Sequence, residues 1–308
     1  MTCRRFPFAI ISTLLFLSIG SAAAQAETVL ITGANSGIGL EFTKQYLTRG
    51  WTVIATHRRA DVPPTLAELS AKYKTLRIEK VDVTVAEQVK ALASRLKGVP
   101  IDVLINNAGI YNDRGTCKPD DDLCPGDWTT QNFGRMRYEL LDTILSVNVK
   151  GPLLVSETLF DNVKASKVKK IVAVSSSNGS LTGPQAGGGA IFYRSSKAAL
   201  NRAMQLVAES VKRDGVTVVM LNPGPTLTEH QLYLKDFKGM LTTEFTVGNM
   251  IKTIDTVTIK DTGKFDFGGL TMTFGPNDNE GLDQVFMTMI QADGKFKAIE
   301  KLVRLTSK

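Results

Sequence analysis

The chain has 308 residues, 43% of them hydrophobic and 22% charged, with a formal net charge of +7. That length and composition suit a soluble globular α/β domain with a substantial core. Lys and Arg are scattered and no basic block is interleaved with aromatics, so a nucleic-acid role has no support, while the mild basic balance fits a site for a polyanionic small molecule.

The first residues read as a leader. Arg4 and Arg5 form a positive start, Phe6 to Ile19 is an apolar run short for a bilayer span, and Ala24-Gln25-Ala26 ends an Ala-x-Ala cleavage signal. Cleavage after Ala26 would leave 282 residues with a charge of +5 and export the protein to a periplasmic or extracellular compartment. An uncleaved anchor or a misassigned start would leave it cytoplasmic. The Arg4-Arg5 pair raises the possibility of export in the folded state, although ordinary unfolded export suits its neighbours better. Beyond the leader only Cys117 and Cys124 remain, both in the polar loop from Asn112 to Gln131. In an oxidising compartment such a pair is expected to form a disulfide; two free thiols are the alternative. A metal site is not expected, since the only histidines are His57 and His230.

Downstream, short apolar segments alternate with amphipathic ones. Strands are expected at Thr28–Thr32, Trp51–Thr56, Thr75–Val81, Asp102–Asn106, Lys170–Ser175 and Val216–Leu221. Helices are expected from about Ile38 to Arg49, from the Pro63-Pro64 pair through Tyr73, from Val85 to Lys97, from Arg137 to Phe160 with Gly151-Pro152 punctuating it, and from Tyr193 to Arg213. The pattern implies a single α/β domain over 27–308, built on a doubly wound parallel sheet. Leu232 to Thr246 reads as a lid, Val247 to Thr256 as a helix, Gly263 to Gly269 as a strand and turn, and Leu282 to Lys308 as a terminal helix.

Three features carry chemistry. Thr32-Gly33-Ala34-Asn35-Ser36-Gly37-Ile38-Gly39 falls between the first strand and its helix. Glycines there permit a tight turn and close approach of the backbone to a pyrophosphate, which the helix N-terminus attracts; a plain turn is the alternative. The second strand ends in Ala55-Thr56-His57-Arg58-Arg59, with no acid for a ribose 2′-hydroxyl. Arg58 suits a 2′-phosphate and therefore NADP over NAD, unless these arginines are only a basic surface loop. His57 could equally join that site or be solvated. Lastly, Tyr193-Arg194-Ser195-Ser196-Lys197 places a phenol and an ammonium one helical turn apart. A nearby ammonium lowers a phenol's pKa, and a phenol so tuned can move a proton to or from an oxygen.

Taken together these motifs resemble the short-chain dehydrogenase/reductase family, in its single-domain branch near the C-factor and carbonyl-reductase-like members. The matching residues are Thr32–Gly39, Asp82, Asn106-Asn107-Ala108-Gly109, Asn148, Ser175-Ser176-Ser177-Asn178-Gly179, Tyr193 with Lys197, and Asn222-Pro223-Gly224. The resemblance implies a Rossmann-type fold and NADP-dependent interconversion of a carbonyl and a secondary alcohol. It implies Tyr193 as general acid or base, Lys197 lowering its pKa and holding the ribose, Ser176 on the substrate carbonyl, and Asn148 kinking its helix and anchoring a proton-relay water. It places Gly33, Asn35, Ser36, Gly37, Ile38 and Gly39 on the pyrophosphate, Asp82 and Val83 at the adenine, and Asn107, Ala108 and Gly109 along the cofactor. Pro223, Gly224 and Thr228 would meet the nicotinamide end. Ser175 or Ser177 could replace Ser176, Asp82 could simply cap a helix, and Asp102 reads as structural. The partner is expected to be a small carbonyl or alcohol, and the assembly a homodimer or homotetramer. A nucleotide-binding signalling or scaffold protein with little turnover is the rival, motivated by export; an epimerase or dehydratase fits the glycine spacing less well.

Overall fold

The computed structural model describes residues 26–112, 126–181, 188–236 and 238–266, with three short strand segments at 271–272, 288–290 and 296–298. The leader and both cysteines, Cys117 and Cys124, lie outside the described residues.

Six short strands form the centre: β1 Thr28–Ile31, β2 Thr52–His57, β3 Leu76–Lys80, β4 Val103–Asn106, β5 Lys170–Val174 and β6 Thr217–Leu221. They run parallel in the order β3-β2-β1-β4-β5-β6. Every residue of β1, β4, β5 and β6 is buried, which is why these segments read as continuous apolar runs and not as alternating ones. Beyond β6 come two short strands, β7 Thr226–Leu227 and β8 Leu241–Thr242, which pair with each other away from the main sheet. β9 Phe265–Asp266 and β10 Thr271–Met272 extend the main sheet past β6.

The helices α1 Gly37–Thr48, α2 Pro64–Lys72, α3 Ala86–Arg95, α4 Tyr138–Leu145, α5 Gly151–Thr158, α6 Phe160–Lys164, α7 Ile191–Val211 and α8 Thr243–Thr256 cover both faces. One apolar layer joins the sheet to α3, α5 and α7, through residues such as Leu30, Leu104, Val155 and Met204. The other joins it to α1, α2 and α8, through Ile31, Phe42, Leu66 and Ile251. Strand order reverses between β1 and β4, so the crevice at their C-terminal ends is where a ligand of such a sheet sits.

Two expectations need correction. The helix expected from Arg137 to Phe160 is two helices joined by a π turn at Ser146–Lys150, where the Gly151 amide reaches the Ser146 carbonyl five residues back. Pro152 has no amide to continue the ordinary ladder, and the wider turn absorbs that loss. The expected terminal helix is contradicted where the tail is described: Thr288–Ile290 and Phe296–Ala298 pair as antiparallel strands. Their β-branched and aromatic residues favour a pleated pair over a helix.

Candidate active site

The glycine turn closes because its glycines have no side chains. Gly33 adopts φ +64°, and a Cβ there would press on the Ala108 Cα at 3.0 Å. At Gly39 a Cβ would overlap the Gly33 carbonyl and the Asn107 amide. Thr32 and Asn107 brace the turn from beneath. The Thr32 hydroxyl accepts the backbone N–H groups of Asn107 and Ala108, each at 3.0 Å. The Asn107 side chain donates to the carbonyls of Thr32 at 2.9 Å and Gly33 at 3.1 Å. The Asn107 side chain thus holds the glycine turn from behind. A cradle that a Cβ at Gly33 or Gly39 would fill, beside the N-terminus of α1, fits a dinucleotide pyrophosphate, with the Glu229 carboxylate holding the Gly37 N–H in this structure.

The catalytic candidates converge from three elements. Val174 ends β5 and leads into the serine run, α7 brings Tyr193 and Lys197, and the π turn brings Asn148. Ser176 is hydrogen-bonded to the Tyr193 phenol. The Ser175 hydroxyl donates to Asn201 instead, and the Ser177 backbone amide donates to Asn222 at 3.1 Å. Of the three serines, Ser176 is the one paired with the phenol. Asn148 is buried; its amide donates to the Ile110 carbonyl at 2.9 Å and the Ser196 hydroxyl at 3.0 Å, and its oxygen accepts the Ile110 N–H at 2.9 Å. It ties the loop that follows Gly109 to α7.

The electrostatics differ from the sequence reading. Burial pushes the Tyr193 phenol up to about 12; the Ser176 hydrogen bond partly offsets this and Tyr111 adds to it. Lys197 is 6% exposed, and burial brings its ammonium down to about 8. Its Nζ donates to the Val174 carbonyl at 2.9 Å and stands 5.7 Å from the Tyr193 ring centre. In this structure burial of the phenol outweighs what lowers its pKa.

A family model described as short chain dehydrogenase matches residues 27–238. The 1-hydroxy-2-glutathionyl-2-methyl-3-butene dehydrogenase of Rhodococcus sp. (strain AD45) is 33% identical over 244 residues, covering 78% of this chain and 95% of that protein. Among solved structures, the NADPH-bound carbonyl reductase from chicken fatty liver superposes with a TM-score of 0.68 at 29% identity, covering 78% of this chain and 96% of that one. A short-chain dehydrogenase/reductase from Burkholderia multivorans with bound NADP gives 0.62 at 31% identity, with coverages of 74% and 90%. The chain belongs to the short-chain dehydrogenase/reductase family.

Elsewhere in this dehydrogenase/reductase the expected residues are placed as follows. Arg58 is exposed just beyond β2. His57 is buried and not solvated; its Nδ1 has no partner, and burial together with Lys80 holds its pKa below the usual value. Asp82 turns back to accept the Thr84 amide and hydroxyl, at 2.9 and 2.7 Å, and Val83 is buried against Gly151. Asp102 is structural, accepting the Thr28 amide at 2.9 Å. Thr228 lies against Gly37, whose N–H donates to Glu229 at 2.6 Å, while Ser36 and His230 meet at 3.4 Å.

Three further residues were not anticipated. Glu229 occupies the first free amide of α1, Gln131 bonds the backbone amide of Tyr193, and Tyr111 sets its ring edge-on to Tyr193 at 4.5 Å. None belongs to a local pattern. A weaker signal was present in Gly179, where a Cβ would meet the Lys197 backbone at 2.7 Å. The glycine after the serine run is what lets that turn press on α7.

Proposed function

We propose that this enzyme is an NADP-dependent oxidoreductase that interconverts a carbonyl and a secondary alcohol, with Tyr193 as the proton-transfer group. The observation that carries the reading is the hydrogen-bonded Ser176–Tyr193 pair with a buried lysine one turn along the same helix. The NADPH-bound and NADP-bound relatives and the free Arg58 position after β2 support the cofactor choice. NADPH would supply the hydride to the carbonyl carbon.

The protein's own part follows from the site. Ser176 and Tyr193 hold the carbonyl oxygen, which fixes the substrate's attitude. A phenol near 12 is fully protonated at neutral pH, so Tyr193 stands ready to donate to that oxygen as negative charge develops on it. Lys197, released from Val174, adds positive charge beside the phenol and stabilises the phenolate left behind. Asn148 keeps Ile110 and Ser196 in place around that lysine. Gly33, Asn35, Ser36, Gly37, Ile38 and Gly39 form the pyrophosphate cradle, with Ala108, Gly109, Pro223, Gly224 and Thr228 along the rest of the groove.

The test is oxidation of NADPH by the purified protein across a panel of aldehydes, ketones and quinones. Turnover on at least one class supports the reading. Tight NADPH binding without turnover on any of them would favour a nucleotide-binding role instead. Export is proposed separately: the secreted form should begin at Glu27 on N-terminal sequencing.

A further inference from the structure

Helix α7 carries the proton donor, yet it begins without a cap of its own. The residue before it is Ala190, in a left-handed conformation with φ +55° and no side-chain acceptor. Helices usually begin with Ser, Thr, Asp or Asn there, because the first-turn N–H groups have no partner within the helix. Two residues far back in the chain supply the acceptors. The Gln131 Oε1 accepts the Tyr193 N–H at 2.9 Å, and the Asn132 Oδ1 accepts the Ala190 N–H at 3.2 Å.

Gln131 is completely buried, with 0% exposure. A buried amide is costly unless both ends are paired. Its other end donates to the Tyr111 carbonyl at 2.6 Å. One side chain thus joins the backbones of Tyr111 and Tyr193, whose rings meet edge-on at 4.5 Å. Gln131 is itself fixed, since the turn it ends is held by Asp127, which accepts the Thr129 amide at 2.8 Å and hydroxyl at 2.7 Å.

We propose that Gln131 is a positioning residue for the reaction: it caps the catalytic helix at Tyr193 and sets Tyr111 as the wall against which the phenol is aimed. The proposal rests on Tyr193 being the proton donor. Misplacement of a reacting group by about 1 Å can cost on the order of 100-fold in rate. Leu at this position removes both hydrogen bonds, whereas Glu keeps the acceptor for the Tyr193 amide and, once its buried carboxyl is protonated, can also donate to Tyr111.

The experiment measures kcat, KM and NADPH affinity for Gln131→Leu, Gln131→Glu, Tyr193→Phe and the double variant Gln131→Leu/Tyr193→Phe. Gln131→Leu should lower kcat on the order of 10- to 100-fold with NADPH affinity within about two-fold of wild type. Gln131→Glu should keep more of kcat than Leu, and it carries the comparison if the Leu variant does not fold. In the Tyr193→Phe background the Leu substitution should cost little more, because Gln131 acts through that hydroxyl. Unchanged kcat in Gln131→Leu, or an equal loss with and without the Tyr193 hydroxyl, overturns the positioning role and leaves the proposed chemistry standing. Full activity in Tyr193→Phe overturns both.

Discussion

The two ends of the active-site crevice are built by different rules. At the cofactor end the turn from Thr32 to Gly39 packs Gly39 on its own Gly33 carbonyl and is braced by Asn107 and Ala108, the residues just beyond a neighbouring strand. At the substrate end the decisive contacts are remote: Gln131 reaches Tyr193 across 62 residues and Asn148 reaches Ser196 across 48. The first is announced by glycines within one short stretch, although its braces lie 75 residues away. The second exists only once the sheet has brought its loops together, so it can differ between relatives that share every motif.

The sharpest way to break the cofactor end is Gly39→Ala. The added Cβ has no room between Gly33 and Asn107, so NADPH binding should be lost and stability should fall by about 2–3 kcal/mol in urea denaturation. Normal NADPH titration of this variant would show that the turn is not the cradle.

At the other end, Lys197→Met should lower kcat roughly 100- to 10,000-fold. It also has a stability signature. Burial takes the folded-state lysine to about 8, while the unfolded chain keeps its proton to the ordinary value of 10.5. Between those limits the unfolded state binds more protons, so wild-type stability should rise with pH from about 8, by up to ~3 kcal/mol. Tyr193 acts in the opposite sense above pH 10, because the folded state holds its proton to about 12. Denaturation at pH 7.5 and 9.5 should show the rise in wild type and its absence in Lys197→Met; equal slopes would place the ammonium in water.

A smaller effect distinguishes the cofactors. Arg58→Ala should weaken NADPH binding roughly 10- to 100-fold and leave NADH almost untouched. If both nucleotides weaken equally, Arg58 does not read a 2′-phosphate.

This contrast also explains what could be read from the sequence. The six central strands were legible, four of them because full burial on both faces leaves continuous apolar runs, whereas β3 at the sheet edge is only partly buried. The glycine turn, Ser176, Tyr193 and Lys197 were legible as motif positions. The beginning of α7 at Ile191 was not, because its cap comes from Gln131 and Asn132 and leaves no local signature. Nor was the protonation balance of Tyr193 and Lys197, since spacing along a helix reports proximity but not desolvation. The bond from the Gly37 amide to Glu229 was hidden for the same reason, being a contact across 192 residues.

The central claim is that the Tyr193 hydroxyl delivers the proton in carbonyl reduction. Single-turnover reduction of a carbonyl substrate by the NADPH-loaded enzyme, wild type against Tyr193→Phe, tests it most directly. The account predicts unchanged NADPH affinity with a reduction rate lower by roughly 100- to 10,000-fold in the variant. A Tyr193→Phe enzyme that reduces the bound carbonyl at the wild-type rate would contradict it.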